Sequence, residues 1–324
     1  MRSLWLALTF VKGLGTKRIR RIYNQFPDLT LSDFKDDKLN QIIKMLRNKT
    51  IAESLSNYDL IKQYVKKAEE SITYHQQNDI QVITISDSCY PELLRKIDDA
   101  PIVLYCKGNM NLLQSHKNVA IVGTRNPTST GKKMARRIAK IFSEKGYVII
   151  SGLALGIDTE AHIGALEANG KTIAVLAGGL DSIFPKENLE LAGEIIKKDG
   201  LLVSENPMHT PMFRAAFVQR DRIQSGLSIA VCPVQTDIKG GTQHTIKFTK
   251  EQKRLLFCPV PIEKVPATRG IFKLLEEGAL PLRDSDDIPI IENHISVKLE
   301  ELSLNTHFMK EELDKSIQQL KLFD

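Results

Sequence analysis

Apolar residues recur in two different rhythms along the 324-residue chain. Over residues 1–75 they fall three and four apart, which predicts a succession of helices. From Gln81 onward, short apolar runs that end in glycine-containing turns alternate with stretches of helical spacing. The clearest stretch is Val119 to Asp158. An apolar strand at Val119–Gly123 enters a Gly/Ser/Thr/Pro turn, and a helix follows from about Gly131. In that helix Met134, Ile138, Ile141 and Phe142 share one face, while Lys132, Lys133, Arg136, Arg137 and Lys140 point elsewhere. A second apolar strand, Tyr147–Ser151, then enters a second glycine turn. Strand, helix, strand in this order demands a parallel sheet with right-handed crossovers.

The same alternation predicts strands at Thr172–Leu176, Leu201–Glu205, Ser228–Val234 and Leu255–Pro259, the last closing the sheet, with Gly240-Gly241-Thr242 opening a helix before it. Gln81–Ser86 and Pro101–Tyr105 read as strands added from a linker. The whole is an α/β chain of the doubly wound, mostly parallel class. Its expected divisions are a helical domain over 1–75, a sheet domain over 76–285 and a helical tail over 286–324. In the tail Met309, Leu313, Ile317 and Leu320 make one apolar face, with Asn305 or Thr306 as its cap. That helix is either half of a helix-turn-helix or a docking helix.

Charge adds one constraint. Forty-five Lys and Arg against 39 Asp and Glu give a formal charge of +6, which is compatible with a nucleic-acid partner. Cys89, Cys106, Cys232 and Cys258 are far apart and form no C-x-x-C pair, so neither zinc nor a disulfide framework is signalled. No apolar run approaches the length of a membrane span. The apolar Ser3–Val11 stretch runs straight into a basic segment without a small-residue cleavage site, unlike a signal peptide. A cytoplasmic protein with reduced thiols is expected. No G-x-x-x-x-G-K-[ST] loop is present, so neither ATP nor any other cofactor is expected.

Ligands of doubly wound sheets sit beyond the carboxyl ends of the strands, where the two glycine turns lie. Small residues there let backbone amides approach an anion, and each turn feeds a helix N-terminus. Arg125 adds a planar cation in the first turn. The dinucleotide pattern G-x-G-x-x-G is absent. A third candidate lies near the start, where Gly13-Leu14-Gly15 separates two helical patterns among Lys12, Lys17, Arg18, Arg20 and Arg21. It reads either as a helix-hairpin-helix whose turn contacts DNA backbone or as a packing module. Asp158 and His162, one helical turn apart, read as a brace for the glycine turn and a local hydrogen bond rather than as an acid/base pair.

With these residues in order, residues 85–262 resemble the DNA-processing protein A family (DprA, also called Smf). The likeness runs through Tyr90-Pro91, the Pro101–Asn109 run, Ala120-Ile121-Val122-Gly123-Thr124-Arg125, Ser151-Gly152-Leu153-Ala154, Gly156-Ile157-Asp158, Gly170–Leu176, Gly179-Leu180-Asp181, Ser204-Glu205 and Arg220-x-Arg222-Ile223. The resemblance implies an extended Rossmann-like fold that binds single-stranded DNA without catalysis, forms a homodimer and helps load a RecA-type recombinase. It places the DNA pocket at Gly123 and Arg125, Ser151 and Gly152, Lys171, Gly178 and Gly179, and Arg220 and Arg222 in a later loop. Phe184 beside them either stacks a base or packs a turn. The chain departs from the family pattern at Leu155, where arginine is usual. It departs again at Asp221, a carboxylate among the phosphate contacts that repels DNA unless an arginine pairs with it. The related phosphoribohydrolases of the LOG type carry a glutamate in P-G-G-x-G-T-x-x-E. Thr245 stands at that position here and argues against hydrolysis. A nucleotide sensor using the same pocket is the further alternative.

Overall fold

The computed structural model describes residues 1–302, so the tail helix expected around Met309 lies outside the described residues. Five helices come first: α1 (Arg2–Leu8), α2 (Thr16–Gln25), α3 (Asp37–Leu46), α4 (Lys49–Ser56) and α5 (Tyr58–Gln76). Asparagine side chains start the last two: Asn48 accepts from the Ile51 amide and Asn57 from the Leu60 amide, both at 3.0 Å. After α5 come β1 (Gln81–Thr84), α6 (Glu92–Arg95), β2 (Val103–Gly108), β3 (Asn118–Val122), α7 (Ser129–Glu144), β4 (Val148–Ser151), α8 (Ile157–Glu167) and β5 (Thr172–Val175). The chain continues through α9 (Leu189–Lys197), β6 (Leu201–Ser204), α10 (Arg214–Leu227), β7 (Ala230–Pro233), α11 (Thr242–Glu251), β8 (Leu255–Pro259), α12 (Pro266–Glu276), β9 (Leu280–Leu282) and α13 (residues 287–302).

The nine strands form one sheet in the order β1-β2-β6-β5-β4-β3-β7-β8-β9. From β6 to β9 every pairing is parallel, whereas β2 runs antiparallel to β6 and β1 antiparallel to β2. The doubly wound expectation holds, extended by two antiparallel strands from the linker. The chain winds outward from β3 through β4 and β5 to β6, then returns beside β3 as β7, so the order reverses between β3 and β7. One strand goes beyond the expected sheet: β9 lies outside β8. Its three residues include Pro281, which an edge tolerates because no ladder donor is needed there.

Successive residues of the central strands feed opposite faces, as the period of two requires. Val119 and Ile121 of β3 join α7, α8 and α13 in one core, while Ala120 and Val122 join the other. The second core includes Ile223 and Leu227 of α10 and runs without interruption into the N-terminal helices, where Trp5 is fully buried. Helix α7 buries Ala135, Ile138, Ala139 and Phe142, with Met134 and Ile141 half-buried beside them, close to the face read from the sequence. Thr128 caps it, accepting from the Gly131 amide at 3.1 Å. The first part of the expected tail is packed onto the sheet: α13 places Ile288, Ile291 and Ile295 in the α7–α8 core, and Glu292 bonds Lys145 at 2.7 Å. No helix among the described residues is long and apolar enough to cross a membrane.

Candidate functional site

A hollow of about 550 Å³ opens at the carboxyl ends of β3, β4 and β7, where the strand order reverses. Open sheets place ligands at this position because the loops from the two halves diverge there and leave a crevice. Gly123, Thr124 and Arg125 come from the turn after β3, and Asp158 from the start of α8. Arg220, Asp221 and Gln224 come from α10, and Gly240 to Thr242 from the start of α11.

The backbone amides expected to cradle an anion are mostly engaged inside the protein. Thr124 donates to the Gln235 carbonyl at 2.8 Å, Asn126 to Thr124 Oγ1 at 3.2 Å, and Thr128 to Gln235 Oε1 at 3.0 Å. The Gly152 amide donates to Asp158 Oδ2 at 3.1 Å, so Asp158 braces the second glycine turn. Gly123 is required by packing: a Cβ there would lie 2.5 Å from Ile157 Cγ1 and 2.9 Å from the Gln235 carbonyl oxygen. The free donors of the hollow belong instead to side chains. Arg220 is 6 % exposed, and its Nε and Nη1 have no hydrogen-bond acceptor. Gln224 Nε2, in the same wall, has none either. Buried donors without partners are uncommon in folded proteins, and here two residues of one wall, Arg220 and Gln224, carry them side by side.

Two carboxylates hold Arg220 in place. Asp158 Oδ2 stands 3.8 Å from Nη1, and Asp221 Oδ1 stands 3.5 Å from Nε. Asp221 therefore pairs with an arginine, the condition under which it does not repel a phosphate. Burial raises the carboxyls of both; that of Asp221 is pushed up to about 6, against the pull of Arg220. Behind them His162 shares a hydrogen bond with Thr172 Oγ1 at 2.7 Å, and burial followed by the Arg220 charge holds the imidazole down to about 3. His162 is thus a neutral core residue.

Asp221 carries a pH prediction. Its folded value lies above the ordinary 3.8, so the folded chain keeps this proton longer than the unfolded one. Stability falls as pH rises from about 4 through about 6, and the cost is fully present above that window. Asp221→Asn is expected to raise the melting temperature at pH 7.5 by a few degrees, corresponding to about 1–3 kcal/mol. At pH 4 the two proteins should melt together, and scanning calorimetry at both pH values checks this.

The other residues singled out from the sequence divide into three groups. Arg125 stands at the mouth of the hollow with its guanidinium 5.1 Å from the centre of the Phe217 ring, and the Phe184 ring packs edge-on to Phe217 with the ring centres 5.9 Å apart. Phe184 is exposed and its peptide bond to Pro185 is cis. Phe217, which the sequence reading did not single out, joins the two into a cation–aromatic row.

A second group is structural. Ser151 is fully buried and donates to the Ile121 carbonyl at 2.7 Å, tying β4 to β3. Gly178 accepts from Ser204 Oγ at 2.7 Å, and a Cβ on Gly179 would press on Pro207, so both serve the loop after β6.

The third group lies elsewhere. Lys171 precedes β5 and so stands at the amino rim of the sheet, opposite the hollow, bonded to Asp199 at 2.9 Å. Arg220 and Arg222 sit on a helix, α10, where a loop was expected. Residues two apart on a helix face different ways, so Arg222 leaves the hollow and pairs with Glu205 at 2.6 Å and Asp99 at 3.3 Å. Thr245 faces the hollow, buried beside Asp221, so this position supplies a hydroxyl and no carboxylate.

A doubly wound sheet with a hollow at its switch point, lined by Arg125, Arg220 and Lys239 as well as Asp158, Asp221 and Asp237, defines a protein of the Rossmann-like class. The family model for DNA recombination-mediator protein A matches residues 81–292, and the chain belongs to that family. It is similar to the DNA processing protein DprA of Bacillus subtilis, at 40 % identity over 228 residues that span 70 % of this chain and 76 % of the relative. It is also similar to the Smf protein of Synechocystis, at 34 % identity over 86 % of this chain and 69 % of that one. Among solved structures, DprA from Streptococcus pneumoniae superposes with a TM-score of 0.71 at 28 % identity, covering 89 % of this chain and 95 % of the other. DprA from Helicobacter pylori, described for its single-stranded DNA binding mode, superposes at 0.59 and 30 % identity over 68 % of this chain and 96 % of that one.

Proposed function

We propose that this chain binds single-stranded DNA by its sugar–phosphate backbone at the hollow between β3 and β7. The observation that carries the reading is the buried Arg220 guanidinium in the wall of the hollow, ion-paired with Asp158 and Asp221 while its Nε and Nη1 lack a hydrogen-bond acceptor. A guanidinium fork suits a phosphate. The Arg125–Phe217–Phe184 row at the mouth supports the reading with a cation and two ring faces, the combination on which unpaired bases stack with little regard to sequence. The positive end of α11, which has no side-chain cap, opens on the same space.

The role is non-catalytic. Of the hollow's carboxyls, Asp158 and Asp221 are engaged with Arg220 and Asp237 with Arg269, and Thr245 brings only a hydroxyl. The chain protects single strands and helps deliver them to a RecA-type recombinase, acting as a homodimer in the cytoplasm. The test is a fluorescence-anisotropy titration of an unstructured oligonucleotide at several salt concentrations. Arg125→Ala is expected to weaken binding about equally for all sequences and to flatten the slope of log K against log salt by roughly 0.7, the loss of one single-strand phosphate contact. A protein that ignores the oligonucleotide at low salt while a mononucleotide raises its melting temperature is a nucleotide sensor instead. Release of ribose phosphate from a nucleotide would make it a hydrolase.

A further inference from the structure

We infer that the strand held at the hollow continues across α10 into the groove between the sheet and the N-terminal helices, where Lys17, Arg18 and Arg21 make a second backbone contact. The inference rests on the reading above, and three observations carry it.

The first is continuity. A groove of about 900 Å³ lies between the two parts of the chain, and Val218 of α10 lines both it and the hollow. Because Arg220 and Arg222 point to opposite sides of α10, the helix presents one guanidinium to each space.

The second is charge. The groove's two acids, Asp99 and Glu205, share Arg222, so that cluster keeps one negative charge against the three cations Lys17, Arg18 and Arg21. Those three are exposed, and none of them makes an ion pair among the described residues. Arg18 and Arg21 spend one nitrogen each on the carbonyls of Gly13 and Met45, which fixes their direction and leaves their charge uncompensated. Arg21 also borders an open basin with Lys44 and Arg47 that no acid lines, so the positive surface extends past the groove.

The third is the character of the wall. Phe10 and Phe248 line the same groove as these cations. Gly15 precedes α2 with no side-chain cap and with open space where a Cβ would stand, so no side chain of its own covers the start of the helix. Cations interleaved with aromatic faces along a trough suit an unpaired polyanion with exposed bases.

The test is an anisotropy titration of the full chain with oligothymidylates of increasing length, comparing wild type with Lys17→Ala/Arg21→Ala. Both side chains are exposed, so the variant should fold, and its melting temperature checks that. The expected result is unchanged affinity for the shortest oligonucleotides that bind. For long ones the expectation is a loss of about tenfold at low salt, with a salt slope shallower by roughly 1.4, two single-strand phosphate contacts. The conservative Lys17→Arg/Arg21→Lys variant should keep the wild-type slope. Equal affinity of variant and wild type at every length overturns the inference, and so does an equal loss at short and long lengths, which would place the two residues at the hollow itself. If wild type binds no oligonucleotide of any length, the reading of the hollow fails as well, and that outcome is distinct from both.

Discussion

Arg220→Ala is expected to remove most single-strand binding and to destabilise the fold together. The guanidinium is the only cation facing the buried carboxyls of Asp158 and Asp221 within ion-pair distance among the described residues. Deleting it leaves two buried acids uncompensated, a change that costs about 3–5 kcal/mol in comparable buried pairs. Losing the charge-assisted bonds to a phosphate should weaken binding by about ten- to a hundredfold. Denaturant midpoints and anisotropy titrations measure the two effects separately. Adding Asp221→Asn should return part of the lost stability and none of the affinity. Full recovery of binding in that double variant would mean that Arg220 merely balances charge.

Gly152→Ala should produce nearly the same protein by a different route. A Cβ at residue 152 would land on the Arg220 Nη1 nitrogen, so the guanidinium must leave its slot. Its displacement strands the same carboxyls and withdraws the same donors. The two changes therefore cannot be additive: on an Arg220→Ala background, Gly152→Ala has room and should cost little more. Gly193→Ala is the contrasting control. Nothing lies within 4 Å of the position its Cβ would take in α9, so it should be neutral or stabilising by about 0.5–1 kcal/mol. A thermal melt of these four proteins decides the matter; additive losses would show that the slot at Gly152 is not what positions Arg220.

The central β-α-β unit was legible because both rhythms are strong there: four uninterrupted apolar residues in β3, and a helix whose lysines and arginines all avoid one face. Helix α10 was not, since the Arg220-Asp221-Arg222 run masks the periodicity of Ala216, Ile223 and Leu227. Those charged residues are buried by pairing with partners distant in sequence, such as Asp158, Glu205 and Asp99, and no local pattern reports that. Lys171 is a different case. Any residue immediately before a strand of a parallel sheet must lie at the amino rim, so its separation from the hollow followed from chain direction once β5 was placed. The glycine turns were correctly located, but their smallness serves packing: Gly123 admits Ile157 and Gly152 admits Arg220. Phe217 carries no motif and emerged only through its contacts with the Phe184 ring and the Arg125 guanidinium.

The uninterrupted core that joins Trp5 to the sheet has a mechanical corollary. A helical module sharing one apolar interior with its neighbour has no hinge, so heat should melt the two in a single cooperative step. Its basic surface and the switch-point hollow are then fixed marks on one rigid body, and a chain of phosphates spanning both would be gauged in length as by the two jaws of a caliper.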